Sequence, residues 1–332
     1  MSRDKLLALG VDIPVLPTTS VGSLPKPGQL VTARKDFSQG KIGYVTLKAL
    51  EREATEFWVR KQDEIGLDVI VDGEMYRGDM AAYFAETMQG FQTGELVRSY
   101  GNRYYRKPVI TGEVRWCSPI TTEWWKFAQS LTEKPVKGML TGPYTIMDWS
   151  FNEFYPDRRS AAMAIARELR KEVEALVDAG ARIIQVDEPA ISTRIDELDF
   201  AREAMQVVTG GINAYFICHI CYGNFLPVYR HLLSLNVDNL DLETSLKHDV
   251  LAAYIRDNPF SKDISYGVFD VHNHKTESVA EMEKNIRHAL SMFDKGQVWV
   301  GPDCGLKTRS VEEAISKLTN MVTAVSHIRE EI

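Results

Sequence analysis

Eight short apolar runs alternate with longer segments of helical pattern along this chain. The clearest helical segments, 46–65, 157–179, 279–293 and 310–328, carry apolar residues at three- and four-residue spacing. Strands that alternate with helices form parallel β-α-β units, and eight units in about 300 residues is the number of a closed barrel. The sequence therefore predicts an α/β fold, a (β/α)8 TIM barrel. Its eight strands are predicted at 13–21, 68–72, 136–141, 182–187, 214–220, 239–242, 264–269 and 297–300.

The segment from about residue 90 to 117 interrupts this alternation. Residues 103–106 and 108–115 have the pattern of two strands, which predicts a hairpin inserted before the third barrel strand. Its basic and tyrosine residues are typical either of a surface that meets an acidic or planar ligand or of a solvated hairpin with aromatic cross-strand pairs. Because no linker-like stretch divides the chain, residues 1–332 are predicted to form a single domain with this insertion.

Charge and motif content exclude several classes of function. The net charge of −7 and the pI near 5.6 give no positive field for nucleic acid or anionic lipid. The sequence has no secretory signal pattern and no run long enough to span a membrane, so a cytoplasmic location is expected. It also lacks Gly-x-Gly-x-x-Gly after the first strand and Gly-x-x-x-x-Gly-Lys, which argues against dehydrogenases and ATPases.

Polar residues gather where the predicted strands end, and in a barrel the chemistry lies at the carboxyl ends of the strands. His219 and Cys221 lie at the end of the fifth run, Glu243 at the end of the sixth and Cys304 at the end of the eighth. Two thiols, an imidazole and a carboxylate match the ligands of zinc. Since they come from three separate parts of the chain, the site requires a folded scaffold, which favours a catalytic over a structural zinc ion.

Other groups near the strand ends allow more than one interpretation. Cys218 points away from His219 and Cys221 on a strand, so it is expected to be a small buried residue; a redox pair with Cys221 is the weaker alternative. Glu74 and Asp187 would hold an ammonium group or form salt bridges to arginine. His272 is a candidate partner of a ligand, proton donor or surface residue.

Eight collinear motifs, from about residue 13 to the end, resemble the catalytic domain of cobalamin-independent methionine synthase in its short core type. They cover the strand ends described above and include the four candidate zinc ligands. The motifs are PTTSVGSLP (17–25), VDGEMYRGDM (71–80), GMLTGP (138–143), QVDEPA (185–190), CHICY (218–222), LETS (242–245), GVFDVH (267–272) and PDCGLKTR (302–309).

The resemblance implies a homocysteine S-methyltransferase that forms L-methionine. Zinc would ionise the thiol of the substrate. By the same resemblance, His272 would be the proton-handling residue. The residues implied to bind zinc are His219, Cys221, Glu243 and Cys304, and those implied to bind homocysteine are Val21, Gly22, Ser23, Glu74 and Asp187.

The methyl donor is the point at which the motifs depart from the long members of the family. Trp149 is retained for stacking on a pterin, but those members have Arg-Cys where this chain has Arg103 and Tyr104, and an acidic residue where it has Thr193. They also carry an additional N-terminal barrel. These differences favour methylcobalamin or a methylated corrinoid protein as the donor.

Three alternatives remain open from the sequence. The first is methyltetrahydrofolate as the methyl donor. The second is a corrinoid-linked methyltransferase that acts on another thiol, such as coenzyme M. The third is a zinc-binding protein without catalytic activity, whose metal would be closed by four protein ligands.

Overall fold

The computed structural model describes residues 2–98, 104–221, 226–245, 254–255 and 258–332. Two compact units divide the chain: residues 1–76, 124–137 and 241–332 form the first, and residues 77–123 and 138–240 form the second. The helices are α1 Ser2–Ala8, α2 Gly28–Ser38, α3 Tyr44–Ile65, α4 Met80–Thr87, α5 Thr122–Gln129, α6 Pro143–Asp148, α7 Arg158–Ala179, α8 Leu198–Thr209, α9 Tyr229–Leu233, α10 Val279–Leu290 and α11 Val311–Glu331. The strands are β1 Gln89–Arg98, β2 Tyr104–Arg115, β3 Gly138–Thr141, β4 Phe151–Asn152, β5 Ile183–Asp187, β6 Tyr215–Ile220, β7 Asn239–Leu242, β8 Asp263–Gly267 and β9 Val298–Gly301.

Six strands form one sheet in the order β3-β5-β6-β7-β8-β9. The pairs β3-β5, β5-β6 and β8-β9 are parallel, as expected for strands joined through helices. Apart from a few residues at their ends, these strands coincide with the third to eighth predicted runs. The predicted α/β barrel class is therefore confirmed.

The first two predicted strands are present as isolated bridges and not as regular strands. Thr18 pairs with Val300, Thr19 with Val69, and Ile70 with Val136, all in parallel. The prediction of continuous strands here was wrong, because Pro14 and Pro17 donate no backbone hydrogen bond and Leu16 turns into the left-handed region with φ 56°. The bridges nevertheless connect β9 through 18–19 and 69–70 to the residues before β3, which is the closed strand order of a barrel.

The insertion is a hairpin, but its strands differ from the predicted ones. β1 pairs antiparallel with β2 from Arg98 opposite Tyr104 to Gln89 opposite Arg115. Residues 104–115 thus form one strand, where two strands were predicted with a break near Pro108. Pro108 lies next to a register irregularity in β1, where the absence of its N–H group is tolerated.

A buried carboxylate joins the helix layer of the second unit to the chain that leaves the hairpin. Glu172 of α7 is fully buried. Its two oxygens accept six hydrogen bonds of 2.7–3.2 Å. The donors are the Trp116 indole, the backbone N–H groups of Ile120, Thr121 and Thr122, and the two threonine hydroxyls. This single side chain therefore fixes the segment that leads into α5.

Among the described residues, no helix is both long enough and apolar enough to cross a membrane.

Replacement of Glu172 by alanine is expected to lower the free energy of unfolding by about 3 kcal/mol or more, because it leaves several buried donors unsatisfied. Glu174→Ala on the same helix is the matched control. Its carboxylate is 48% exposed and forms an i,i+4 ion pair with Arg170, so we expect a loss of about 0.5 kcal/mol or less. Chemical denaturation of both variants measures the difference, and equal losses would contradict the role assigned to Glu172.

Candidate active site

The strand β6 delivers two of the predicted zinc ligands. Its residues are buried along the whole strand, with His219 at 3% exposure, and Cys221 follows directly at 5%. Cys218 is fully buried, as expected for a small apolar residue on this strand. The local sequence thus gives a β-strand whose end carries a nitrogen and a sulfur donor.

One group of side chains in the described residues could hold a metal ion. A ligand atom from each of His219, Cys221 and Cys304 lies within 4.8 Å of the others. Zinc binds nitrogen and thiolate donors at about 2.0–2.3 Å, so two donor atoms on one ion can be separated by up to about twice that bond length. The imidazole and the two thiols therefore fit a zinc ion in both chemistry and spacing.

Glu243, the fourth predicted ligand, is not part of this group. Its Oε1 atom lies 2.8 Å from Nε2 of His272. This hydrogen bond raises the pKa of His272 above its usual range, because the carboxylate stabilises the imidazolium. The His272 side chain is 41% exposed, so it can exchange protons with solvent while contacting Glu243. The interpretation of His272 as the partner of a zinc ligand stays a prediction, since Glu243 is outside the metal group.

A buried lysine holds the backbone of the loop that carries His272. Asp270 accepts a hydrogen bond of 2.7 Å from the His272 backbone N–H group. The carbonyl oxygen of Asp270 accepts one of 3.0 Å from Nζ of Lys317, which has no exposed side-chain surface. Lys317 also forms an ion pair of 2.6 Å with Glu277. A charge inside the helix layer thus fixes the backbone next to His272.

Asp303 holds the chain that follows Glu243. Its Oδ1 atom accepts hydrogen bonds from the backbone N–H groups of Thr244 and Ser245 at 3.0 and 2.8 Å, and its Oδ2 atom accepts one from the Ser245 hydroxyl. A Cβ atom on Gly267 would lie 2.0 Å from Oδ1, so only glycine leaves room for this carboxylate. Burial raises the pKa of Asp303 to about 7. Sequence reasoning singled out the next residue, Cys304, and missed this role of Asp303.

Glu188 plays a corresponding role in the second unit. Its carboxylate, 1% exposed, accepts hydrogen bonds of 3.0 and 2.8 Å from the N–H groups of Tyr144 and Thr145, and one of 2.7 Å from the Thr145 hydroxyl. A Cβ atom on Gly142 would lie 2.2 Å from this carboxylate. Burial raises the pKa of Glu188 to about 7. Gly142 in GMLTGP and Glu188 in QVDEPA were the sequence features from which this contact could have been predicted.

The residues predicted to bind the amino acid are held by hydrogen bonds and by close packing. Asp187, at the end of β5, is 6% exposed and its Oδ1 atom accepts a hydrogen bond of 2.7 Å from Gln185. In the first unit, the carbonyl oxygen of Ser23 accepts a bond of 2.7 Å from the Leu306 N–H group. A Cβ atom on Gly305 would lie 2.0 Å from the Ser23 hydroxyl oxygen. The segment after Cys304 therefore packs closely against the segment that contains Val21, Gly22 and Ser23.

The predicted methyl-donor residues are described only in part. Arg103 lies outside the described residues. Tyr104, at the start of β2, is 61% exposed, whereas the hydroxyl of the next residue, Tyr105, donates a hydrogen bond of 3.3 Å to the carbonyl oxygen of Trp149. Thr193 donates its hydroxyl hydrogen bond to the Ala190 carbonyl oxygen at 2.7 Å. Tyr105 and Trp149 also form an aromatic pair, with ring centroids 6.5 Å apart.

The strand order and the sulfur-nitrogen donor group define a barrel protein with a candidate metal centre. The family model described as "Cobalamin-independent synthase, Catalytic domain" matches residues 16–327. The chain belongs to this family, and the resemblance read from its motifs is confirmed.

Similar proteins extend this comparison. The chain is 38% identical over 322 residues to a methionine synthase of Sulfolobus acidocaldarius, covering 97% of this chain and 94% of that protein. It is also 38% identical to a 5-methyltetrahydropteroyltriglutamate–homocysteine methyltransferase of Lactiplantibacillus plantarum, covering 100% of this chain and 45% of that relative. The chain thus spans less than half the length of this second relative.

Solved structures show the same fold. A B12-independent methionine synthase from Shewanella aligns with a TM-score of 0.84 and 24% identity, covering 96% of this chain and 99% of that one. A putative B12-independent methionine synthase from Listeria monocytogenes aligns with a TM-score of 0.79 and 23% identity, covering 95% and 99%.

The predicted methyl donor, methylcobalamin or a methylated corrinoid protein, was wrong. The matched family is cobalamin-independent, and the long relative is named for a methyltetrahydropteroyl donor. The prediction depended on the changed residues Tyr104 and Thr193 and on the additional N-terminal barrel of the long members. One lost hydrogen bond changes a binding free energy by about 0.5–1.5 kcal/mol, which is too little to exchange one donor for a chemically different one.

Glu188 should make stability depend on pH in a window set by its two pKa values. Its pKa rises from 4.5 to about 7 on folding, so the folded state retains a proton that the unfolded state has lost. The free energy of unfolding of the wild type should therefore fall, relative to that of Glu188→Gln, as the pH rises through this window. Denaturation of both proteins at several pH values measures the effect; parallel pH profiles would refute it.

Proposed function

We propose that this protein transfers the methyl group of a 5-methyltetrahydropteroylglutamate to the thiol of L-homocysteine and so forms L-methionine. The observation that carries the proposal is the group of His219, Cys221 and Cys304 in a chain of the cobalamin-independent synthase family. The methionine synthase of Sulfolobus acidocaldarius has nearly the same length, which supports the same reaction in a chain of this size.

In this proposal zinc is held by His219, Cys221, Glu243 and Cys304. Bound zinc would supply a Lewis acid that lowers the pKa of the homocysteine thiol and keeps the thiolate present at neutral pH. The hydrogen bond from His272 to Oε1 orients the Glu243 carboxylate, and Asp303 restrains the backbone that follows it. Such support of a ligand by neighbouring hydrogen bonds is common at metal sites.

Homocysteine would be bound by residues from three strand ends. The Glu74 and Asp187 carboxylates complement its ammonium group, and the segment of Val21, Gly22 and Ser23 would contact its polar end. These groups orient the thiolate for in-line attack on the methyl carbon. The cytoplasmic location and the single domain over residues 1–332 remain part of the proposal.

The other substrate would lie near the hairpin. Trp149 would offer an aromatic face for the pterin ring, and Arg103 and Tyr104 remain candidates for further contacts with this substrate. When the methyl group leaves the pterin nitrogen, that nitrogen gains a proton, and the His272 imidazole would supply it. The raised pKa of His272 favours the protonated form that this step requires.

Zinc-loaded protein is expected to form methionine from homocysteine and 5-methyltetrahydropteroyltriglutamate. Quantifying methionine by mass spectrometry measures this. Coenzyme M in place of homocysteine should give no methylated product, because it lacks the amino-acid group that Glu74 and Asp187 would bind. Methylation of coenzyme M but not of homocysteine would instead support the alternative thiol acceptor, and no product from either would favour a non-catalytic zinc protein.

Cys304→Ser is expected to abolish zinc retention and methionine formation while the barrel stays folded, since the apolar core does not depend on the ion. Cys218→Ala is the matched control, because Cys218 is buried beside a ligand but is outside the metal group. This variant should keep its zinc and its activity. Elemental analysis, circular dichroism and the methionine assay test both variants; global unfolding of Cys304→Ser would indicate a structural metal.

A further inference from the structure

Glu74 has an unusual backbone for a residue with a side chain. Its φ of 59° lies in the left-handed region, which among the described non-glycine residues is shared only with Leu16. Such a conformation costs about 1–3 kcal/mol and persists only where surrounding contacts impose it. Glu74 directly follows Gly73, which also has a positive φ of 78°. The contacts that impose this turn thus decide where the Glu74 carboxylate points.

Both backbone polar groups of Glu74 are held by side chains. Its N–H group donates a hydrogen bond of 2.9 Å to Oδ1 of Asp72, and its carbonyl oxygen accepts one of 3.1 Å from Nζ of Lys26. The Tyr76 hydroxyl donates to the other oxygen of Asp72 at 2.7 Å. The left-handed residue is therefore restrained on both sides, by an anion at its N–H group and by a cation at its carbonyl group.

Lys26 is positioned in a partly buried charge network and not on an open surface. Burial, with a smaller effect of the Arg34 guanidinium, lowers the pKa of Lys26 to about 8. Arg34 in turn donates hydrogen bonds of 2.8 Å to the carbonyl oxygen of Met75 and 2.6 Å to Glu51. Two cations thus hold the consecutive carbonyl groups of residues 74 and 75. The carboxylates of Glu51, paired with Arg34, and of Glu74 offset part of the repulsion between these two cations.

We propose that Lys26 is a positioning residue for homocysteine binding, which acts through the backbone of Glu74 and sets the direction of its carboxylate. The inference rests on the proposed function, in which that carboxylate holds the substrate ammonium group. Lys26 itself does not touch the substrate in this scheme. Asp72 acts on the N–H group of the same residue.

The second left-handed residue shows the same arrangement at a place with no proposed substrate contact. The carbonyl oxygen of Leu16 accepts a hydrogen bond of 3.0 Å from the Arg329 guanidinium, which also forms an ion pair of 2.6 Å with Asp68. In each of the two described non-glycine residues with left-handed backbone, a cation thus binds the carbonyl oxygen. At Leu16 it shapes a turn, whereas at Glu74 it directs a charged side chain.

The test uses Lys26→Met in the zinc-loaded full chain with both substrates. We expect the KM for homocysteine to rise about tenfold, the loss typical of a hydrogen bond from a charged donor, while kcat, the KM of the methyl donor and zinc content change little. Lys26→Arg should recover most of the loss. Lys41→Met, which removes an exposed lysine paired with Asp36 in the same unit, is the matched control and should leave every constant unchanged.

A double-mutant cycle distinguishes action through Glu74 from a general loss of stability. In a Glu74→Gln background, Lys26→Met should raise the KM for homocysteine much less than in the wild type, because the group it orients is already altered. Asp72→Ala, which removes the acceptor of the Glu74 N–H group, should reproduce the selective rise in the KM for homocysteine, and it keeps the idea testable should Lys26→Met fail to fold.

Two results would overturn the role of Lys26 and leave the proposed function intact. These are an unchanged KM for homocysteine in an active Lys26→Met variant and additive effects in the double-mutant cycle. Equal rises in both KM values together with a lower Tm that Lys26→Arg does not restore would likewise reduce Lys26 to a structural residue. A wild-type protein that forms no methionine would instead refute the proposed function, and the inference with it.

Discussion

Two buried carboxylates, each just beyond the end of a strand, hold the loops from which the candidate site is built. Glu188 follows β5 and binds the first turn of α6, while Asp303 follows β9 and binds the residues after β7. In both cases two backbone N–H groups and one hydroxyl donate to the acid. Because a buried carboxylate is costly unless its oxygens are satisfied, these bonds and the acids depend on each other.

The same constraint explains two glycines. Gly142 and Gly267 leave space into which the carboxylates fit, and a Cβ atom at either position would lie about 2 Å from one of them. The loops so fixed carry groups with proposed roles: Asp187 precedes Glu188, and Cys304 follows Asp303. The absence of a side chain at these glycines thus helps to place the charged groups. A substitution at either glycine would displace the carboxylate and with it the neighbouring site residue, although the glycine itself contacts no ligand.

The mistaken prediction of the methyl donor shows that one or two contacts do not decide which donor a protein uses. Thr193, whose hydroxyl bonds to Ala190, was interpreted as the loss of a pterin contact. The family as a whole, matched over 16–327, carries information from the entire barrel and outweighs that position. Reaction class follows from the metal donors and the strand ends, whereas donor preference depends on many weak contacts whose sum is not visible in any one of them.

The sequence by itself determined most of the strands and helices along the chain and singled out the three side chains of the candidate metal group, because apolar periodicity and polar residues at strand ends are local properties. It missed the single strand through Pro108 and the bridges at Thr18 and Thr19, which depend on the neighbouring strand and not on propensity. Tertiary structure alone decided that Glu243 pairs with His272, that Asp303 and Glu188 bind backbone, and that Lys26 restrains Glu74. Each of these contacts joins groups between 29 and 59 positions apart in the chain, so only the folded barrel brings the partners together.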